Sequence, residues 1–466
     1  MGSTSKTNQQ RLLSLDVLRG LAILLMVLSG SIAFGDVMPA WMYHAQVPPP
    51  LHTFNPAIPG ITWVDLVFPF FLFAMGAAFP LALGKKLVQN GTFSTLLQVI
   101  KRYILLLFFA IFTYHSRAWV MDANAGAVEN LLSIACFVLL FLMLSKTTFE
   151  SAKLAMFRQI IAFALALSFL CFYPFSKDGF NMNNSDIIIV VLANMALFGA
   201  VIWIFTKNRP WFRVAVLPLV MGVFLSGKVQ NSWTSDLFNW SPLPWAYTFY
   251  YLKYLFIVIP GTFAGDWLLS AKNSNLVIKS SKITLSIALL CMLLVGFNTG
   301  FLFSRQITTN LILTAYLAIL ILFLLRKSGL APVYHKFVQL GLFLLALGLF
   351  FEPYEGGIKK DPSTYSYYFV CGGMALITLF SLLLIEAGGY CRSAFKWMAK
   401  AGQNPMIAYT AGNLLLLPLL RIANLEITLN LLNQNPWLGF IRGLIFTGTV
   451  ALITVFFTNR RIFWKT

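Results

Sequence analysis

The sequence predicts an all-α polytopic membrane protein of roughly 11–14 transmembrane helices with both termini in the cytoplasm. Three observations carry this expectation. Hydrophobic residues make up 59% of the 466 and charged residues 11%, against roughly 25% charged in a soluble domain. Apolar runs of about 18 residues or more, long enough to cross a bilayer as helices, recur from end to end. Basic residues cluster in every second connection, the bias that fixes membrane orientation. A transmembrane β-barrel does not fit, because its strands alternate every second residue and these runs are continuous.

Taken in order, the candidate spans are 17–35, 62–83, 102–120, 127–145, 157–175, 186–206, 212–226, 249–270, 283–300, 305–325, 337–352, 364–388, 404–421 and 437–457. The seventh and eleventh are short and read as re-entrant or half-helices. With Lys6 and Arg11 cytoplasmic, Lys85, Lys86, Lys101 and Arg102 follow the second span, and Arg460, Arg461 and Lys465 the last. The even-numbered spans between them are followed by basic clusters in the same way. The net charge of +19 is thus spread between spans rather than gathered in one patch, so nucleic acid is not an expected partner. Ser31 and Ala33 resemble a signal-cleavage site, yet the first span is expected to be retained. A single transmembrane domain, 1–466, accounts for the chain, because no loop is long enough for a core of its own. The five cysteines form no CxxC and read as small buried side chains, so neither a disulfide framework nor a metal site is expected.

Cations on the outer side need a reason that cytoplasmic ones do not. That side holds His44, His52, His115, Arg117, Lys177, Lys228, Arg305, Lys359, Lys360 and Arg421. The loop 36–61 is the richest in candidates, with His44 and His52 among prolines and Asp65 just inside the following span. An imidazole accepts or donates a proton near neutral pH, or attacks a carbonyl carbon. A carboxylate on its other nitrogen sets the tautomer. Asp65 suits that role in the first helical turn, and Pro69 cannot donate to its carbonyl. The alternative is an N-terminal helix acid beside two solvated histidines.

Other groups have bland and functional readings side by side. Asp16 and Arg19, three residues apart in "RLLSLDVLRG", can pair on one helix face, or Arg19 can face an anionic ligand. Glu129 and Asp266 are acids near or within spans, where ionisable groups are functional candidates by default. Lys359 and Lys360 precede a span as interfacial anchors or glycan ligands. Asn404 and Pro405 in "AGQNPMIAY" form a polar helix start. Trp41, Trp63, Trp240 and Trp245 suit an interfacial belt or sugar stacking.

Three blocks, "RLLSLDVLRGLAILLMV", "YHA" and "GITWVDLVFPFFLFAMG", resemble the amino-terminal signature of the heparan-α-glucosaminide N-acetyltransferase family and its bacterial relatives. "IKKDPSTYSYYFVCGGMALITLFSLLLIE" and "AGQNPMIAY" are similar to its carboxy-terminal spans. The resemblance implies a multi-pass acetyltransferase of the bacterial cytoplasmic membrane. It would carry acetyl from cytoplasmic acetyl-CoA to the amino group of a glucosamine-type sugar on the outer side, with no metal. It implies His44, in "HA", and Asp65 as catalytic residues. Beside them, Arg19 and Asn404 are the candidates read from the residues for cofactor binding, and Lys359, Lys360 and Glu129 those for the acceptor. Familiar members hold the histidine closer to the aspartate; here "QVPPPLHTFNPAIP" intervenes and His44 lies 21 residues before Asp65. His52 is therefore the alternative catalytic histidine. An acetyl-histidine intermediate and a ternary complex both remain open. The expected partners are acetyl-CoA, an amino-sugar or glycan acceptor, and the lipid bilayer, with room for a homodimer. A secondary transporter for sugars is the rival class.

Overall fold

The structure, a computed structural model, describes residues 12–32, 38–146, 151–176 and 179–464. Lys6, Arg11, Ala33, Lys177 and Lys465 lie outside the described residues, and the loop 36–61 is described from residue 38. The main helices are α1 Leu13–Ser31, α2 Trp63–His115, α3 Ala127–Leu144, α4 Ala152–Phe172, α5 Ile187–Thr206, α6 Pro210–Ser226 and α7 Leu255–Asn273. They continue as α8 Lys282–Phe303, α9 Ile307–Lys327, α10 Pro332–Tyr354, α11 Tyr365–Ala387, α12 Arg392–Gly402, α13 Pro405–Ile422 and α14 Pro436–Asn459. The described strands are β1 Ser145–Lys146 and β2 Phe463–Trp464, which pair antiparallel. The chain is an all-α polytopic membrane protein, with 12 described helices long and apolar enough to span.

One of those 12 counts twice. A straight helix of 53 residues would measure about 80 Å, against about 30 Å of hydrocarbon. At Gly91 the backbone leaves the helical region with φ 74°, a conformation glycine adopts without steric cost. Lys86 Nζ then donates to Gln98 Oε1 at 2.9 Å, a contact across 12 residues that only a reversal permits. The stretch 85–101, expected as a loop, is therefore helical on both sides of a one-residue break. Its Lys and Arg cluster marks where two helices meet at the membrane surface. The eleventh span is also corrected: α10 has 23 residues and is full length, because the residues from Pro332 to Lys336, His335 among them, belong to it. The short seventh span is α6, with 17 residues.

Lipid tails are as apolar as leucine, so close packing and polar contacts hold such a bundle together. At the α2–α7 seam a Cβ on Gly76 would lie 2.3 Å from Val258 O, and one on Gly261 2.3 Å from Phe73 O. Only glycine permits that approach. The most enclosed helix is α11, with 94% of its apolar window buried, whereas α4 and α9 have 17%. The loop 355–364 leading into α11 therefore starts from a fixed point. Three of the cations expected on the outer side have acidic partners: Arg117 pairs with Asp186, Arg305 with Glu352, and Arg421 with Glu426 at 2.8 Å. Asp266 is bonded to the fully buried Arg213 at 2.6 Å and to Trp203 Nε1 at 3.1 Å, an internal ion pair.

Candidate active site

The site is built on the first turn of α2. Thr62 caps that helix: its hydroxyl accepts from Val64 N at 3.2 Å, while Asp65 Oδ2 accepts from Thr62 N at 2.9 Å. This capping box leaves the carboxylate no freedom to rotate. The same Oδ2 accepts from Ala45 N at 3.2 Å, while the Thr62 hydroxyl donates to Tyr43 O at 2.6 Å. Oδ1 is thereby turned to His44, whose Nδ1 lies 2.6 Å away. An ionised carboxylate only accepts, so Nδ1 carries the proton and donates. The Nε2 lone pair is left as the basic position.

Pro69 has the consequence its position implies. It cannot donate to the Asp65 carbonyl, and Tyr367 OH of α11 donates there instead, at 2.7 Å. The most enclosed helix thus anchors the turn that carries the acid. Asp65 retains 1% exposure of its side chain and His44 39%, so the acid is sealed and the base is accessible.

Lys360 completes the group from the loop before α11. Its Nζ lies 3.1 Å from His44 Nδ1, 3.3 Å from Nε2 and 3.9 Å from Asp65 Oδ1. Near-equal distances to both ring nitrogens put the ammonium over the ring face rather than along a lone pair. Burial pushes the Lys360 ammonium below its ordinary value, and the attraction of Asp65 and Asp361 opposes this. About 29% of that side chain still reaches the cavity. Gln46, nearly buried, holds the loop. Its carboxamide donates to Asp361 O and accepts from Asp361 N at 2.8 Å. Gly60 N donates to Ile358 O at 2.7 Å alongside.

His44 and Lys360 line a cavity of about 800 Å³ between the C-terminal end of α1, both ends of α2, the N-terminal end of α5, and α13 and α14, within the range of small-molecule sites. Across it lie Arg117, Asp186 and Tyr409. Tyr409 OH donates to Asp186 at 2.8 Å, and Asp186 caps α5. Gly412–Leu416 forms a π-helical turn within α13, a distortion common at functional sites; Gly412 and Asn413 face the cavity. Sequence reasoning missed Gln46, Thr62, Asp186, Tyr367 and Tyr409. Asp186 carried a usable signal, an aspartate directly before the apolar run "IIIVV".

A protein-family profile described as a domain of unknown function (DUF5009) matches residues 11–268, more than half of the 466. The chain belongs to this family. The DUF5009 match takes in His44, Gln46, Asp65 and Asp186 and ends before Lys360, Tyr367 and Tyr409. No curated protein matches the chain.

The other expected site residues lie elsewhere. His52 packs edge-on against the Tyr43 ring, centroids 4.5 Å apart, and does not line the cavity. Glu129 accepts from Gly126 N at 2.7 Å, so it caps the start of α3 and is not among the residues lining the cavity. Lys359 closes a turn with Thr364 and is not among the residues that line the cavity. Asn404 is spent on Thr458 Oγ1, Ile462 O and Trp464 N; it ties down the carboxy-terminal strand and has no polar atom left for a cofactor. Arg19 sits in the inner half of α1, 3.1 Å from Asp16 Oδ1 and 3.4 Å from Ala74 O.

Proposed function

We propose that the protein is a transmembrane acetyltransferase that moves acetyl from cytoplasmic acetyl-CoA to the amino group of a glucosamine-type sugar on the outer side. The observation that carries this is the His44–Asp65 dyad, sealed on the acid side and open to an 800 Å³ cavity on the base side. An oriented imidazole with a free Nε2 suits acyl transfer from a thioester to an amine.

His44 has two ways to act. As base, Nε2 takes a proton from the acceptor amine as nitrogen attacks the thioester carbonyl, and the C–S bond breaks to release CoA thiol. As nucleophile, Nε2 attacks the thioester carbonyl and the C–S bond breaks to release CoA thiolate; the amine then takes the acetyl from Nε2, its proton goes to the thiolate, and neutral imidazole is left. Asp65 stabilises the imidazolium in either case. The Lys360 ammonium lies beside the reacting nitrogen, where it can stabilise the oxyanion of the tetrahedral intermediate. Arg19, about 10 Å of helical rise from the cavity-lining Met26, is the basic group of α1 on the cofactor's side.

Proteoliposomes with labelled acetyl-CoA on the cytoplasmic face and glucosamine on the other test this. Labelled N-acetylglucosamine and free CoA are expected in equal amounts, on opposite faces. Sugar uptake with no CoA released contradicts the proposal and favours a transporter.

A further inference from the structure

A second cavity, about 730 Å³ and almost wholly apolar in its lining, runs between α1, α2 and α8. We propose that it holds the hydrocarbon chain of a lipid-linked acceptor, with the polar head of that lipid at His44. This rests on the acetyltransferase reading and adds the class of acceptor.

Each helix contributes one face. Leu21 and Leu25 come from α1, Leu66 and Phe70 from α2, and Gly296 and Gly300 from α8. Nothing lies within 4 Å of where a Cβ would stand on either glycine. Small residues at this spacing normally seat a neighbouring helix; here the space beside them is empty and the glycines are exposed, so the groove opens sideways toward lipid. From Met292 to Phe303 it extends about 16 Å by helical rise, half of the roughly 30 Å hydrocarbon core. It therefore matches one leaflet, the outer one by the charge pattern.

The mouth of the groove explains the choice of occupant. Trp41, Trp63 and Thr62 stand there, and tryptophan favours the headgroup level. Thr62 N also donates to the catalytic Asp65, and Val67 lines both the groove and the His44 cavity. A lipid whose chain fills the groove thus carries its head toward the dyad, with Val67 the residue shared by the two cavities. Neither an annular lipid nor a second copy of the chain needs that junction.

The test compares methyl and dodecyl glucosaminide as acceptors in one detergent, with wild type, Gly296→Phe and Gly300→Phe. The variants project into open space and touch no catalytic group. Wild type is expected to show a KM about tenfold or more lower for the dodecyl acceptor. The variants should lose that preference while keeping wild-type turnover of the methyl acceptor. An equal KM in wild type overturns the proposal, as does a preference that survives in both variants, which partitioning into detergent would produce. Loss of a dimer in the variants with the preference intact makes the groove a subunit interface instead. Should wild type acetylate neither acceptor, the acetyltransferase reading fails, and a dodecyl glucosaminide with a diazirine at its chain end still decides the groove. Its label is expected on residues 292–303, displaced by unlabelled dodecyl but not methyl glucosaminide. Even labelling of all lipid-facing helices counts against the groove.

Discussion

Replacing Asp65 by asparagine tests the dyad with little change of shape. Two backbone donors converge on Oδ2: Ala45 N and Thr62 N. An amide NH2 cannot face them, so in Asp65→Asn the amide oxygen takes that position and the NH2 turns to His44. Nδ1 must then accept, which moves the ring proton to Nε2 and removes the base. A wrong tautomer of this kind costs about 10⁴-fold in kcat, equal to about 5.5 kcal/mol of barrier. The fold loses far less, about 1–2 kcal/mol, because one charge-assisted bond becomes neutral and the cap survives. The assay is the steady-state rate of glucosamine acetylation, with thermal unfolding measured in the same detergent. If Asp65 were only a helix-capping acid, stability would fall and kcat would stay within about tenfold of wild type; that result refutes the dyad.

Three further outcomes follow from the same geometry. Gln46→Ala removes both bonds to the Asp361 backbone and should lower kcat about tenfold or more as Lys360 loses its place; Gln46→Glu, which keeps only the acceptor, should fall between, and equal rates in all three contradict the clasp. Tyr367→Phe leaves the Asp65 carbonyl, freed by Pro69, without its donor, for an expected loss of about 1–3 kcal/mol of stability; an unchanged unfolding midpoint rules out that anchor. Lys360 titrates below the ordinary lysine value because burial disfavours its charge. Between that lowered value and the ordinary one the unfolded chain binds more protons than the folded chain, so stability rises with pH across the window. Lys360→Met should flatten the rise in thermal unfolding as pH climbs toward the ordinary lysine value, about 10.4, and an unaltered slope counts against it.

The spans and the dyad were legible because both rest on local signals. Apolar length names a membrane helix, and a histidine in "YHA" with an aspartate at a helix start names a pair. The reversal at Gly91 was misplaced because basic residues at 85–101 suggested a loop, while helix on both sides of one glycine satisfies the backbone equally well. The choice between His44 and His52 depended on how the proline-rich segment folds, and the packing of His52 on Tyr43 is not written in either residue. Gln46 with Asp361, and Tyr409 with Asp186, join residues 315 and 223 apart; no local pattern encodes such contacts. Pro69 lies between these cases: it announced a carbonyl in need of a donor, but only the packed α11 could name Tyr367. Asn404 misled because a polar helix start looks the same whether it meets a ligand or its own carboxy terminus.

The central claim is that His44, oriented by Asp65, transfers acetyl. The most direct measurement is the acetylation rate of glucosamine by purified wild type, His44→Gln and His52→Gln under saturating acetyl-CoA. His44→Gln is expected to lose about 10²–10⁴-fold in kcat, with His52→Gln within about threefold of wild type, since His52 packs on Tyr43 and does not line the cavity. A fully active His44→Gln, or the reverse order of the two variants, contradicts it.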